Sequence, residues 1–439
     1  AEKMKLAAQP GTSSVTAPPK PAHAIAVDSL PLGSKLLSQG FSLSSLHTEF
    51  SPGQTLRFLI DEKDMKEGPT LCEMPPKDKS LHCKAIPAPA AKMSPALRLW
   101  GTTDDGAAPL VFVGDHGRDG IYRSDTGALV EEKLTYGAYG IHARKDGSYS
   151  MLIWKEPSTE TKLENVGADG KRTDTGLFDR EKTGNPYYNS GLFWNYVVNK
   201  TYAPGEDGLR LFVRTLAEGG AISAPVDVGE VGQPSLVEGG DEPPHIRACR
   251  SADTSVIRVK GESAEYLSFF AGGKWTQPVE ADTMGGDLVC RGNEALLTGV
   301  DIESEKTGDV FRTRCDVTSC KTDSLKLADL FSHNDDMWPA SVNAIYAADV
   351  AGKVAVIWQT QLGGVRLRVA AADQLSKAED VVVFDDRMQD GILKPESTLL
   401  GMNLLTQGDT TLLFLRTVPG VFVFRIEESG VITPVPIAT

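Results

Sequence analysis

His245-Ile-Arg-Ala-Cys-Arg250, Thr254-Ser-Val-Ile-Arg-Val259, Glu265-Tyr-Leu-Ser-Phe-Phe270 and Trp275-Thr-Gln-Pro-Val279 follow one another and lead into a Gly/Asp-rich joint. Each stretch is short and rich in β-branched or aromatic residues, the signature of strands joined by tight turns. The phrase then repeats. Asp287-Leu-Val-Cys-Arg291, Ala295-Leu-Leu-Thr-Gly-Val300, Val310-Phe-Arg-Thr-Arg-Cys315 and Ser324-Leu-Lys-Leu327 form the next copy. A third runs Ser341-Val-Asn-Ala-Ile-Tyr346, Lys353-Val-Ala-Val-Ile-Trp358, Val365-Arg-Leu-Arg-Val369 and Asp380-Val-Val-Val-Phe384. The last comprises Leu399-Leu-Gly-Met-Asn-Leu404, Thr411-Leu-Leu-Phe-Leu415, Val421-Phe-Val-Phe-Arg-Ile426 and Val431-Ile-Thr-Pro-Val435. Looser copies span 97–134, 140–178 and 187–229. A first unit, over 41–87, contains Thr55-Leu-Arg-Phe-Leu-Ile60 and places its last two strands in the hairpin between Cys72 and Cys83.

Four short strands per period of roughly 40 to 55 residues is the spacing of β-propeller blades. One blade cannot bury both of its faces, so blades stack around an axis. The reading is an all-β propeller over residues 41–439 with seven blades, or eight if the first unit counts. Tandem β-sandwiches also present short alternating strands, but the phrase repeats here without an interdomain linker. The one helical stretch expected is Ala371 to Ala378. In this repeat pattern the chain resembles bacterial secreted β-propeller repeat proteins as a broad class. The resemblance does not extend to sialidases. Their Ser-x-Asp-x-Gly-x-x-Trp box is approached by Arg123-Ser-Asp-Thr-Gly127 and Lys145-Asp-Gly147, and neither has the spacing.

Residues 1–24 are rich in Ala, Pro, Ser, Thr and Lys and read as a disordered leader or tether, a means of surface attachment, with 25–40 as a lead-in. The chain starts Ala1-Glu2, as a mature end would after signal-peptide removal. No apolar run approaches the length of a membrane-spanning helix. The 439 residues carry a formal charge of −14, which disfavours nucleic acid and anionic lipid as partners. Six cysteines permit many pairings, and sequence alone selects none. Hairpin spacing suggests Cys72–Cys83 and Cys315–Cys320, leaving Cys249 and Cys290 at like positions in neighbouring units. Such a framework implies an extracytoplasmic location, whether secreted, periplasmic or at the cell surface.

The joints between units should ring one mouth of the central channel. They include Tyr136-Gly-Ala-Tyr139, Asn185-Pro-Tyr-Tyr-Asn189 (with Tyr187 and Tyr188), Glu238-Gly-Gly-Asp241-Glu242 and Asp282-Thr-Met-Gly-Gly-Asp287. The later ones are His333-Asn-Asp335-Asp336-Met-Trp338 and Asp385-Asp386-Arg-Met-Gln-Asp390. One side of the ring is aromatic and the other acidic. Such a face suits a protein or glycan ligand, and its carboxylates could hold Ca²⁺. The competing reading is that Asp, Asn and Gly simply make turns. A nucleophile motif, a phosphate-binding loop and a cofactor motif are all absent from the sequence. The expectation is therefore a non-enzymatic binding or assembly module without a cofactor. The alternatives are a propeller glycoside hydrolase using paired carboxylates and a structural subunit of a cell-surface assembly. Asp115-His-Gly-Arg-Asp119 reads as a hairpin loop, and Asn199-Lys-Thr201 matches a glycosylation acceptor.

Overall fold

A computed structural model describes residues 56–438 except 61–69, 76–77, 88–96, 100–101, 105, 114–119, 133–137, 155–159, 180–189, 203–207, 218–220, 233–245, 262–263, 284, 305–306, 332–337, 341–343, 361–363, 385–398, 408 and 418–419. The leader and the lead-in lie outside the described residues. The strands form eight separate sheets; those after the first follow chain order as antiparallel meanders, the third also taking up the two-residue strand Thr102–Thr103 in parallel. The fold is an eight-bladed β-propeller.

Blade 5 shows the rule. Its strands Ile246–Arg250, Ser255–Lys260 and Glu265–Ala271 pair in sequence, and its outer strand is split into Lys274–Trp275 and Val279–Ala281. Pro278 accounts for the split, because it offers no N–H to the ladder. In blade 6, Asp287–Arg291, Glu294–Ser304, Thr307–Cys315 and Cys320–Lys326 repeat the order without interruption. First strands of blades 1 and 2, of blades 3 to 6 in turn, and of blades 7 and 8 touch one another, so they line the axis. The helical stretch expected near residue 371 is a short 3-10 turn, Ala372–Lys377.

From blade 2 round to blade 8, and between blades 8 and 1, neighbouring faces are apolar and exclude water between them. Blades 5 and 6 share Val256, Leu267 and Phe269 against Ala295, Leu297 and Phe311. Blades 7 and 8 share Ile357 and Leu367 against Leu413, Leu415 and Phe424. Each of the Val, Ile, Leu and Phe side chains contributes about 1.5–3 kcal/mol on full burial.

Blade 1 departs from the sequence expectation. Leu56–Ile60, Thr70–Met74 and Leu81–Ala85 are its first three strands, and its fourth is Ile437–Ala438 from the far end of the chain. This last strand runs parallel to Leu81–Ala85, with Leu81 opposite Ile437 and His82 opposite Ala438. Leu81 N donates to Pro436 O at 2.8 Å. The ring is thus closed by strands from both ends. Behind the closure, Phe58 meets Phe414 of blade 8 edge-on at 5.1 Å.

All three disulfides form, with Cα separations of 4.1 Å for Cys72–Cys83, 5.5 Å for Cys249–Cys290 and 4.0 Å for Cys315–Cys320. The first and third staple hairpins within a blade. The second ties the inner strands of blades 5 and 6 at equivalent register positions, in agreement with the repeat alignment.

Candidate functional site

Each inner strand begins where the preceding blade crosses over and ends where the chain turns back as a hairpin. The channel therefore has a crossover mouth and a hairpin mouth. The predicted ligand face is the crossover mouth.

Asp287 opens the inner strand of blade 6 at that mouth. The crossover leading to it passes through Gly285 and Gly286, at φ +87° and +82°. A Cβ on Gly286 would lie 2.8 Å from Thr298 O, so both conformation and space require glycine there. Arg258 and Glu265, both buried, form an ion pair beneath the crossover. The Arg258 Nη1 donates to Gly286 O at 2.8 Å, and Gly285 N donates to Glu265 Oε1 at 2.9 Å. Charge-assisted bonds of this kind hold geometry tightly. The crossover is bracketed, and Asp287 with it.

Asp287 is half-buried. Burial raises its pKa from the ordinary 3.8, while the Arg247 and Arg258 charges draw it back down. Thr298 stands opposite it in the ladder and so shares its face of the sheet. Among the described residues the buried Thr298 hydroxyl has no hydrogen-bond partner. A carboxyl group and an orphaned hydroxyl on one face make a polar spot suited to a water or to a ligand hydroxyl.

The other predicted residues of this face divide in two. Tyr139 lies in the inner strand Ala138–Ala143 of blade 3. Trp338 is buried, packed on Phe331 at 5.4 Å within the core between blades 6 and 7, so its ring serves packing. Tyr136, Tyr187, Tyr188, Asp241, Glu242, His333, Asp335, Asp336, Asp385 and Asp386 lie outside the described residues, as does the 115–119 loop. Among the described residues no three His, Cys, Asp or Glu side chains converge as a metal site would require. Asn199 of the glycosylation motif is buried in the strand Tyr196–Tyr202, where no glycan would fit.

The hairpin mouth holds a second constellation that sequence reasoning missed. In blade 2 the connection after Leu97–Leu99 sends Thr102–Thr103 across to pair in parallel with His142 and Ala143 of blade 3. Trp194 N donates to Thr102 Oγ1 at 2.8 Å, and that hydroxyl lies 3.0 Å from His142 Nδ1. His142 Nε2 faces Asp104 Oδ1 at 3.5 Å. Burial, aided by the Arg144 charge, lowers the His142 pKa to about 3, so the imidazole is neutral. From blade 5, Arg250 lays its guanidinium over the Trp194 ring at 4.1 Å.

No family model matches the chain, and no curated protein matches it. Solved structures do. A prolyl endopeptidase is similar at 11% identity and a TM-score of 0.42, covering 92% of this chain and 49% of that one. Oligopeptidase B from Leishmania major is similar at 9% identity and 0.43, covering 87% and 54%. The β-propeller domain of the Trilobed protease from Pyrococcus furiosus is similar at 10% identity and 0.33, covering 88% and 95%. The chain spans about half the length of the two peptidases. At such identities these likenesses concern the fold alone.

Stacked charge also secures the hairpin mouth on its far side. Asp349, fully buried in blade 7, is ion-paired with Arg291 at 2.9 Å and accepts a hydrogen bond from Arg312 Nε at 3.0 Å, both from blade 6. Arg291 also reaches Asp409 of blade 8 at 3.1 Å. Three blades are clamped by one network, which keeps the inner strands in register.

Proposed function

We propose that this propeller is an extracytoplasmic, non-enzymatic binding module of the bacterial secreted type, recognising a protein or glycan at its crossover mouth. The observation that carries the reading is Asp287, positioned by the Arg258–Glu265 bracket and facing the orphaned Thr298 hydroxyl. Three disulfides support an oxidising compartment, and among the described residues no helix is long and apolar enough to cross a membrane. A rigid ring with a fixed polar spot binds at low entropic cost, because little must be ordered on contact. The test is a neutral-glycan panel and a set of Lys/Arg-rich peptides, presented to the wild type and to Asp287→Asn. Saturable binding to one set, weakened at least about tenfold by the substitution, is expected. Binding that is unchanged in Asp287→Asn overturns the role of this mouth.

A second reading rests on the raised pKa of Asp287. A carboxyl group whose pKa is raised by burial is the kind that a glycosidase uses as its acid. Product formation on the same glycan panel between pH 4 and 7, abolished by Asp287→Asn, would favour the hydrolase over the binder.

A further inference from the structure

The hairpin mouth presents hydrogen-bond donors without acceptors. Arg250 spends its Nε on Ser255 Oγ at 2.9 Å, and among the described residues its two terminal nitrogens have no acceptor. The guanidinium is half-buried, and burial lowers its pKa, with Tyr196 and Asp104 acting against that. Asp104 is not within ion-pair distance of it and faces His142 instead. The Trp194 indole N–H, in a residue 2% exposed, is buried and has no partner among the described residues. The Trp275 indole N–H is buried and orphaned in the same way. Indole and guanidinium are donors only. Among the described residues the terminal nitrogens of Arg250 therefore lack an acceptor, while the two orphaned indole nitrogens are enclosed in the packed rings of the wall beside it.

Aromatic rings make the wall continuous. Tyr196 lies 5.9 Å from the Arg250 carbon, 5.0 Å from Trp275 and 5.5 Å from Phe270. Arg250, Phe270 and Trp275 are each half-buried, so the wall is open to solvent. The backbone adds a further sign. Trp194 sits in a two-residue turn between Phe193 and Tyr196 at φ +53°. That conformation suits Gly, Asn or Asp, and a bulky residue there is strained. The strain places a tryptophan face under Arg250. Strain of this kind gathers at ligand sites.

We infer that the hairpin mouth binds an acidic sugar, a uronate. The fork of Arg250 takes the carboxylate in the plane of the guanidinium, which stacking on Trp194 leaves free. The half-exposed rings of Phe270 and Trp275 meet the pyranose face, and the enclosed indole N–H groups beside Arg250 report on its occupancy. The site is separate from Asp287 and does not depend on it.

The test follows the indole N–H resonances of the intact ¹⁵N-labelled protein during titration with sodium glucuronate. Trp194→Phe and Trp275→Phe assign the two signals. Both should shift saturably with glucuronate and stay still with methyl glucoside. Arg250→Lys should weaken the response at least about tenfold, and Arg250→Met should remove it. Asp287→Asn should leave it unchanged. The wild-type titration does not rely on any variant's folding, and silent indole signals there overturn the proposal. So does an equal response to sulfate, or to N-acetylglutamate amide, which would assign the site to inorganic anions or to acidic peptides.

Discussion

His142 and Lys200 each place a titratable group where its charged form is disfavoured, and each leaves a pH signature. The His142 pKa falls from 6.5 in the unfolded chain to about 3 in the fold. Between those values the unfolded chain binds the extra proton, so stability falls as the pH drops through that window. His142→Gln should flatten this limb by about 3–5 kcal/mol across the window, read from urea melts at stepped pH. Asp287, with its pKa raised, pulls the other way, and comparing variant with wild type removes its contribution. Lys200 is 1% exposed, donates its Nζ to the Lys260 carbonyl at 3.3 Å, and has its pKa lowered by burial to about 8. The folded protein therefore carries a penalty that is full below about pH 8 and gone above 10.5. Lys200→Met should raise stability by about 2 kcal/mol at pH 7, and the gain should vanish at high pH. Equal gains at pH 7 and above 10.5 would show that packing, not charge, is responsible.

At the scale of strands and staples, the two kinds of disulfide should differ in worth. Cys249–Cys290 closes a loop with a sequence separation of 41, against 5 for Cys315–Cys320. Loop-closure entropy assigns about 4 kcal/mol to the first and about 2 to the second. Replacing each pair by alanine and measuring chemical unfolding should give losses in that order, and the reverse order would mean that strain or residual structure dominates. The same elements show what could be read beforehand. In blades 5 to 8 the second and third strands are apolar runs or alternations, because they bury side chains against neighbouring blades, so those elements were legible. The mostly exposed outer strand Cys320–Lys326, by contrast, was expected only from Ser324. Ile437–Ala438 and Thr102–Thr103 were not, since two-residue strands paired in parallel to distant partners leave no periodicity. Asp287 could be found from its Gly-Gly-Asp joint. The hairpin-mouth site could not, because its hydrogen bonds join residues 40 and 92 apart in sequence. Its one local signal is Trp194-Asn195 between two strands, a tryptophan where a turn calls for glycine.

For the molecule as a whole, the ring is only as strong as its closure. The inter-blade cores run from blade 2 through blade 8 to blade 1, but the outer strand of blade 1 pairs at only two positions. Val435, just before it, is buried in the core shared by blades 8 and 1, and its N–H is bonded to Val423 O at 3.0 Å. Ending the chain at Pro434 removes that side chain, the Pro436 acceptor and the two-residue ladder together. Burial of one valine and loss of two or three backbone bonds amount to roughly 3–5 kcal/mol. The loss should be local in its effect. Blade 1 then has an unpaired edge at Leu81–Ala85, and its Cys72–Cys83 staple holds only that hairpin. Amide hydrogen exchange in Leu56–Ile60 and Thr70–Met74 should accelerate strongly, while Ser255–Lys260 and Glu265–Ala271, fixed by the Cys249–Cys290 bridge, should keep their protection. Uniform acceleration in all eight blades would instead mean that the ring unfolds as one cooperative unit, with the closing strand guarding the whole.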